Sequence, residues 1–351
     1  MSHDAPSEVL ELPFSQSAAG LEAEWTNLAA SIPHSSYFQT PDWVLSWWET
    51  LAARPPTRVA TWRGDDGTLE AIAVVSRVRQ RLSRRLPLPY PLWINTGSGP
   101  GAADHCGWPA ISSRSKDVGA WVGSLRGTIM LSNLDPEDQM QSGLIGFQQH
   151  EETRCPRIDV PADEGQVGRS NHFRRHLRNA RRRLIDAGVS IRHVPPEDMT
   201  AEVLEQVMRL HQLRKAQTGW ASTFTTGRAE FHRRLVSRAG PGRGPAAVLA
   251  IHEGAPVGAI YGFWWQQTFS YYQGGWDDRW SQLSLGTVLN AEAIAECSRR
   301  GGLVYDFLRG EEEYKERFGA VPRIDQTWIR PTGLSGLLTM ARSKAAKRTN
   351  A

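Results

Sequence analysis

The chain has 351 residues and a mass of 39.1 kDa, about two domains' worth of sequence. Its 40% hydrophobic and 22% charged residues exclude wholesale disorder, and no run approaches the ~18 uninterrupted apolar residues of a membrane helix. Net charge is only +4, and three scattered cysteines without a C-x-x-C pair exclude both a disulfide scaffold and a thiolate zinc site.

In chain order, residues 1–20 carry acids and no apolar leader segment. A loose start and a soluble, cytoplasmic protein are therefore expected. Thr40-Pro41-Asp42 opens a helix through Trp43, Val44, Trp47 and Trp48, apolar at helical spacing. Val59–Trp62 and Leu69–Ser76 flank Gly64-Asp65-Asp66-Gly67, the pattern of a hairpin. A basic stretch over 77–85 and a proline-rich one over 86–92 follow. A strand is expected at Thr128–Ser132, a helix after Pro136, a strand at Arg157–Val160 and a linker over 161–168. Adjacent side chains diverge, so His105 and Cys106 are not expected to act as a nucleophile pair.

From Arg169 to Arg192 there are eight arginines and a single acid, Asp186. Phe173, Leu177, Ala180 and Leu184 recur at helical spacing, with Ser170 or Asn171 to cap the helix and Gly188 to end it. The arginines then form either a solvated face or a surface for phosphates. His172 and His176 stand four apart, but no glutamate lies between them and cations crowd them, so no metal is expected.

A helix around Leu204–Arg214 precedes a three-stranded meander over 247–273, turning at Glu253-Gly254 and Gln266-Gln267. Next come a Ser/Gly loop, a helix over 287–300, a strand at 303–308, a short helix at 311–318 and a last strand at 326–330. Glycine at 286, just before a helix, is a tight turn or a close approach for a diphosphate. The hairpin of the first half has a counterpart in the second, a strand, an acid-glycine turn and an apolar strand, consistent with an internal duplication.

Tyr305 to Ala320, with Asp306, Lys315 and Phe318-Gly319, resembles the signature of the CelD-like (BcsL-type) acetyltransferase family of the GNAT superfamily. Ser284-Leu-Gly-Thr-Val-Leu, Leu210-His211 and Phe38-Gln-Thr-Pro-Asp-Trp are also similar to that family. The resemblance covers most of 36–332. It implies an α/β fold with mixed sheets: tandem GNAT-like lobes over 21–165 and 166–335, the second retaining the acyl-donor cleft, and a basic tail over 336–351. In such a lobe two parallel strands splay, here 268–273 and 303–308, and acyl-CoA (acetyl-CoA foremost) inserts between them. The donor diphosphate would rest on Ser284, Leu285, Gly286, Thr287 and Val288, with Gln273 beside the acyl arm. Gln282-Leu-Ser-Leu-Gly-Thr-Val departs from the usual GNAT loop by one residue and lacks its second glycine.

The resemblance places several residues near the chemistry. Asp306 is a base or an ion-pair partner of Arg309, and His211 a base or a core histidine. Tyr271 shares a face with Gln273, opposite Tyr272, and a tyrosine is the expected acid. Arg309, Tyr314, Lys315 and Trp220 would meet the substrate. The implied activity is acyl transfer to an amine or hydroxyl, on a small-molecule, saccharide or cell-envelope acceptor. Lys315-x-x-Phe318-Gly319 also resembles the Fem peptidyltransferases, which implies aminoacyl-tRNA as the rival donor. A non-catalytic protein that binds an anion or a partner is the third reading.

Overall fold

The computed structural model describes residues 4–14, 20–33, 35–52, 54–82, 88–99, 103–219 and 222–350. It comprises two compact units, residues 1–153 with 324–351, and residues 154–323, against an expected break within 161–168. Among the described residues no helix is long and apolar enough to cross a membrane.

The first unit opens with β1 (Glu8–Glu11), where a loose leader is expected; it pairs antiparallel with β2 (Thr57–Arg63). Between them lie α1 (Leu21–Ser31) and α2 (Pro41–Thr50). Thr40 caps α2 by accepting from the Trp43 amide, and Pro41 occupies the first turn, where its missing N–H costs nothing. The helix buries Trp43, Val44, Trp47 and Trp48. β3 (Leu69–Arg81) and β4 (Pro89–Asn95) continue the antiparallel meander, with residues 89–92 of the proline-rich stretch opening β4 and 86–87 outside the described residues. α3 (Ser112–Ser124), for which the sequence gives little periodic signal, crosses to β5 (Ile129–Leu134), which runs parallel to β4. After Pro136 only a short 3₁₀ turn at 139–143 forms, in place of a helix.

The parallel pairing of β4 and β5 covers Trp93↔Ile129 and Ile94↔Met130. Beyond it the buried Asn95 carboxamide takes over. Its Nδ2 donates to the carbonyls of Ser132 (2.9 Å) and Cys106 (2.9 Å), while its Oδ1 accepts from the Ser132 amide at 3.0 Å. One side chain thus stitches the two strands together where they would otherwise part.

The second unit repeats the plan. Its elements are the end of β6 (Gln148–Asp159), α4 (Asn171–Asp186), β7 (Val189–Val194), α5 (Ala201–Thr218), α6 (Thr226–Ser237), β8 (Gly244–His252), β9 (Ala255–Trp265), β10 (Thr268–Trp276), α7 (Leu285–Arg299), β11 (Val304–Asp306) and α8 (Glu313–Arg317). β7 to β10 form an antiparallel run, β11 lies parallel to β10 beyond the crossover helix α7, and β6 pairs antiparallel with β11. Ser170 caps α4 by accepting from the Phe173 amide at 3.1 Å. Phe173, Leu177, Ala180 and Leu184 then pack with α7 over Ile260, Trp264 and Tyr305. The opposite face meets α5 and α6, through His232, Phe224, Tyr261 and Phe263.

β12 (Val321–Arg330) and α9 (Gly333–Asn350) end the chain. From Gln326 onward β12 pairs antiparallel with β5, returning this segment to the first unit although its place in the sequence puts it with the second. Both units therefore carry a four-stranded antiparallel meander, a helical crossover and a parallel fifth strand. That is a mixed α/β fold of tandem GNAT-like lobes.

Candidate functional site

β10 and β11 are paired only from Thr268↔Val304 to Ser270↔Asp306. β10 then continues to Trp276 along β9 with a bulge between Tyr271 and Gln273, while the chain after Asp306 turns away. Bulges bend a strand and raise its twist, so the two neighbours diverge. Into the divergence opens a cavity of about 700 Å³. Tyr271 to Gly274 form one wall, Phe307 to Arg309 with Tyr314 the other, and Ser284 to Thr287 the end.

The second wall is held by side chains folded back onto the main chain. The buried Asp306 carboxylate accepts from the Leu308 amide at 2.7 Å. Leu308 adopts a left-handed conformation, as does Gly310. The buried Lys315 ammonium donates to the carbonyls of Phe307, Leu308, Arg309 and Gly310 at 3.1–3.4 Å and pairs with Glu312 at 2.8 Å. Four consecutive carbonyls converge on one cation. The sequence places Lys315 against the substrate; its charge is directed instead at the loop that shapes the wall. Asp306 likewise faces the turn and is absent from the cavity lining, which removes the sequence-based expectation of a base exposed there.

The end wall is the tip of α7. Ser284, in a left-handed conformation, precedes it, and the amides of Thr287 and Val288 both donate to the Ser284 carbonyl at 3.0 Å. Leu285 and Gly286 are the first two residues of α7, where amides lack an acceptor four residues back within the helix, and the helix dipole adds positive potential. Gly286 touches the Trp276 indole so closely that a β-carbon there would lie 2.5 Å from the ring. Asn290 fastens this turn from within, its Nδ2 donating to the Gly286 carbonyl at 3.0 Å and its Oδ1 accepting from the Tyr305 hydroxyl at 3.0 Å. Val288 is buried in the core and lies outside the cavity, a correction to its expected place in the diphosphate rest.

Two cations from α5, Arg214 and Lys215, border the cavity together with Arg309. Arg214 stacks 4.8 Å above the Trp276 ring and pairs with Asp278 at 2.6 Å. His211 stands one helical turn before them but lies beneath the wall. Its ring is buried, with Nδ1 3.1 Å from the Gly274 carbonyl and Nε2 3.0 Å from the Thr223 hydroxyl. Burial pulls its pKa down to about 4. The imidazole is therefore neutral, donating to Gly274 and accepting from Thr223, and its place is the core, not the reacting centre.

The Tyr271 and Tyr314 phenols are close enough to influence each other's ionisation. Burial first, and the nearby Glu312 carboxylate second, push Tyr271 up to about 12. Burial and the same neighbours raise Tyr314 further. Both phenols stay protonated at neutral pH.

Tyr271, Gln273, Ser284, Leu285, Gly286, Thr287, Arg309, Tyr314 and Lys315 all come together around this cavity. Trp220 lies outside the described residues. Sequence reasoning missed Arg214, Thr223, Trp276, Asn290 and Glu312. The pair Gly286 and Asn290 carried a usable signal, since residues four apart share one helix face.

Residues 171–316 match the family model described as Acetyltransferase (GNAT) domain. No curated protein matches the sequence. Among solved structures, FemX is similar at 10% identity with a TM-score of 0.65, over 92% of this chain and 97% of that one. A conserved protein of unknown function from Bacteroides thetaiotaomicron is similar at 10% identity with a TM-score of 0.57, over 92% of this chain and 99% of that one. At such identities the likeness is one of fold.

Proposed function

We propose that the second unit, a GNAT acetyltransferase domain, moves an acyl group, acetyl foremost, from acyl-CoA to an amine or hydroxyl on a saccharide or cell-envelope precursor. The observation that carries this reading is the parting of β10 from β11 after Ser270 and Asp306, with the α7 tip closing the gap. A strand that loses its neighbour keeps unpaired main-chain groups, which suit an extended amide-containing arm. The tip amides of Leu285 and Gly286, with Arg214, Lys215 and Arg309, suit a diphosphate.

In direct transfer the acceptor attacks the thioester carbonyl and releases its proton to water, the oxyanion is stabilised by main-chain donors, the C–S bond breaks, and the thiolate takes a proton from a wall donor that water then reprotonates. Tyr271, held protonated in the cavity wall and backed by Tyr314, is the donor for that proton. Lys315 and Asp306 act at one remove, by fixing the loop over 307–310. Titration calorimetry with acetyl-CoA tests the reading. Saturable binding is expected, and no heat at about 1 mM would overturn the choice of donor.

A second reading takes aminoacyl-tRNA as donor, and the exposed Arg175, Arg178, Arg182 and Arg183 of α4 favour it. Aminoacyl-tRNA binding that weakens steeply with salt, alongside silence toward acetyl-CoA, would replace the first reading with this one.

A further inference from the structure

We propose that the first unit carries a separate binding site, for the hydrocarbon chain of an anionic lipid. It is a cavity of about 1220 Å³, against roughly 300–1,000 Å³ for ordinary small-molecule pockets. Strand alternation turns Val78 of β3, Leu92 and Ile94 of β4 and Met130 of β5 onto one sheet face, which forms the floor. Trp47 and Leu51, at the end of α2, line it as well. The polar pair on the floor satisfies itself, the Tyr90 hydroxyl donating to Gln80 Oε1 at 2.9 Å. A ligand that fills this space therefore gains mainly by leaving water.

Charge at the mouth has one sign. Among the described residues no aspartate or glutamate lines the cavity, while Arg342 of α9 does, its guanidinium donating to the Arg81 carbonyl. Arg77, Arg79 and Arg81 alternate with the floor residues of β3 and place further positive charge on the outer face of the ribbon. Three large apolar side chains stand exposed on the elements that carry this rim: Leu88 (46%) beside β4, and Leu334 (68%) and Leu337 (70%) on α9. A cavity with an apolar floor, exposed leucines beside it and arginines with no acid among the described lining residues match the layers of a lipid surface: acyl chain, interface and anionic headgroup. Every residue that lines the site belongs to the first unit.

The test uses the full chain and three probes: dodecyl phosphate, inorganic phosphate, and vesicles of phosphatidylcholine with or without phosphatidylglycerol. Saturable dodecyl phosphate binding is expected, with inorganic phosphate neither binding nor competing, and vesicle binding that requires phosphatidylglycerol. Met130→Trp fills the floor and Val78→Glu charges it, and each should weaken dodecyl phosphate binding roughly tenfold or more. Arg342→Glu should weaken vesicle binding and leave the melting temperature in place. If Val78→Glu fails to fold, Met130→Trp, an apolar change, answers alone. Unchanged dodecyl phosphate affinity in a folded Met130→Trp variant, competition by inorganic phosphate, or equal binding to both vesicle types would each overturn the proposal.

Discussion

Gly286 and Trp276 are in direct contact at the mouth of the second unit's cleft: the indole lies where a side chain at 286 would have to go. The helix tip can be approached only because that position is bare. Gly286→Ala should therefore displace the indole or tilt the first turn of α7. Acetyl-CoA affinity is expected to fall roughly tenfold, and the melting temperature by only a few degrees. Calorimetry with thermal denaturation separates the two effects, and tight binding by a folded variant would refute the role of the tip.

Lys315 should behave as part of the scaffold. Lys315→Met leaves the four loop carbonyls and Glu312 without their cation, at a cost of about 2–4 kcal/mol. Lys315→Arg should not rescue it, since a planar fork cannot replace a compact ammonium surrounded by carbonyls. Chemical denaturation measures both. A surface lysine would show a change near zero, and that result would rule out a scaffold role for Lys315.

Tyr271→Phe removes the proposed proton donor and leaves its ring in place. The turnover number should fall by about 10²–10⁴ while acetyl-CoA affinity holds within about threefold. Tyr314→Phe, which removes only the neighbouring phenol hydroxyl, should cost less and shift the alkaline limb of the pH–rate profile. Equal turnover in Tyr271→Phe and wild type would dismiss the assignment.

His211 and His232 make the second unit acid-sensitive. Burial lowers His211 to about 4 and His232 to about 3, below the ordinary value near 6.5. The folded state therefore binds fewer protons than the unfolded chain in this range. Stability is fully present above about pH 6.5 and is lost as pH falls toward 4. His211→Gln should flatten part of that decline in melting temperature between pH 7 and 4.5 and leave no missing limb in the pH–rate profile. A lost acid-side limb would restore His211 as a catalytic base.

Asn95→Asp tests the closure of the first unit's gap. An aspartate there turns acceptor oxygens toward two carbonyls that now receive N–H donors, which should cost about 2–4 kcal/mol. Asn95→Ala should cost less, because no like dipoles then face each other. Urea denaturation ranks the pair, and the reverse order would refute the stitching role.

Much of the second unit could be read from residue patterns. Ser170, the spacing from Phe173 to Leu184, and the Glu253-Gly254 turn are local features, and the elements formed where those features stand. A cavity forms where the Ser284–Thr287 loop and the 305–320 motif stand. What could not be read depends on distant partners. Lys315 is ringed by main-chain carbonyls that no spacing rule exposes, and His211 is buried by a strand 63 positions away. α3 buries small and mixed residues such as Ser115, Val118 and Gly119, too little periodicity to announce a helix. β4 begins among prolines that usually signal a break.

The return of β12 to β5 also bears on how the polypeptide emerges from the ribosome. Everything needed for residues 154–323 is contiguous, so that unit can close as soon as its last strand is out. β5 must wait for Gln326–Arg330, and at 5–20 residues per second that wait lasts roughly 10–40 s. Throughout it a nearly finished sheet offers an unpaired border to any passing strand. Nascent chains halted before Ile324 should therefore engage chaperones through the amino-terminal unit, although most of that unit is made first.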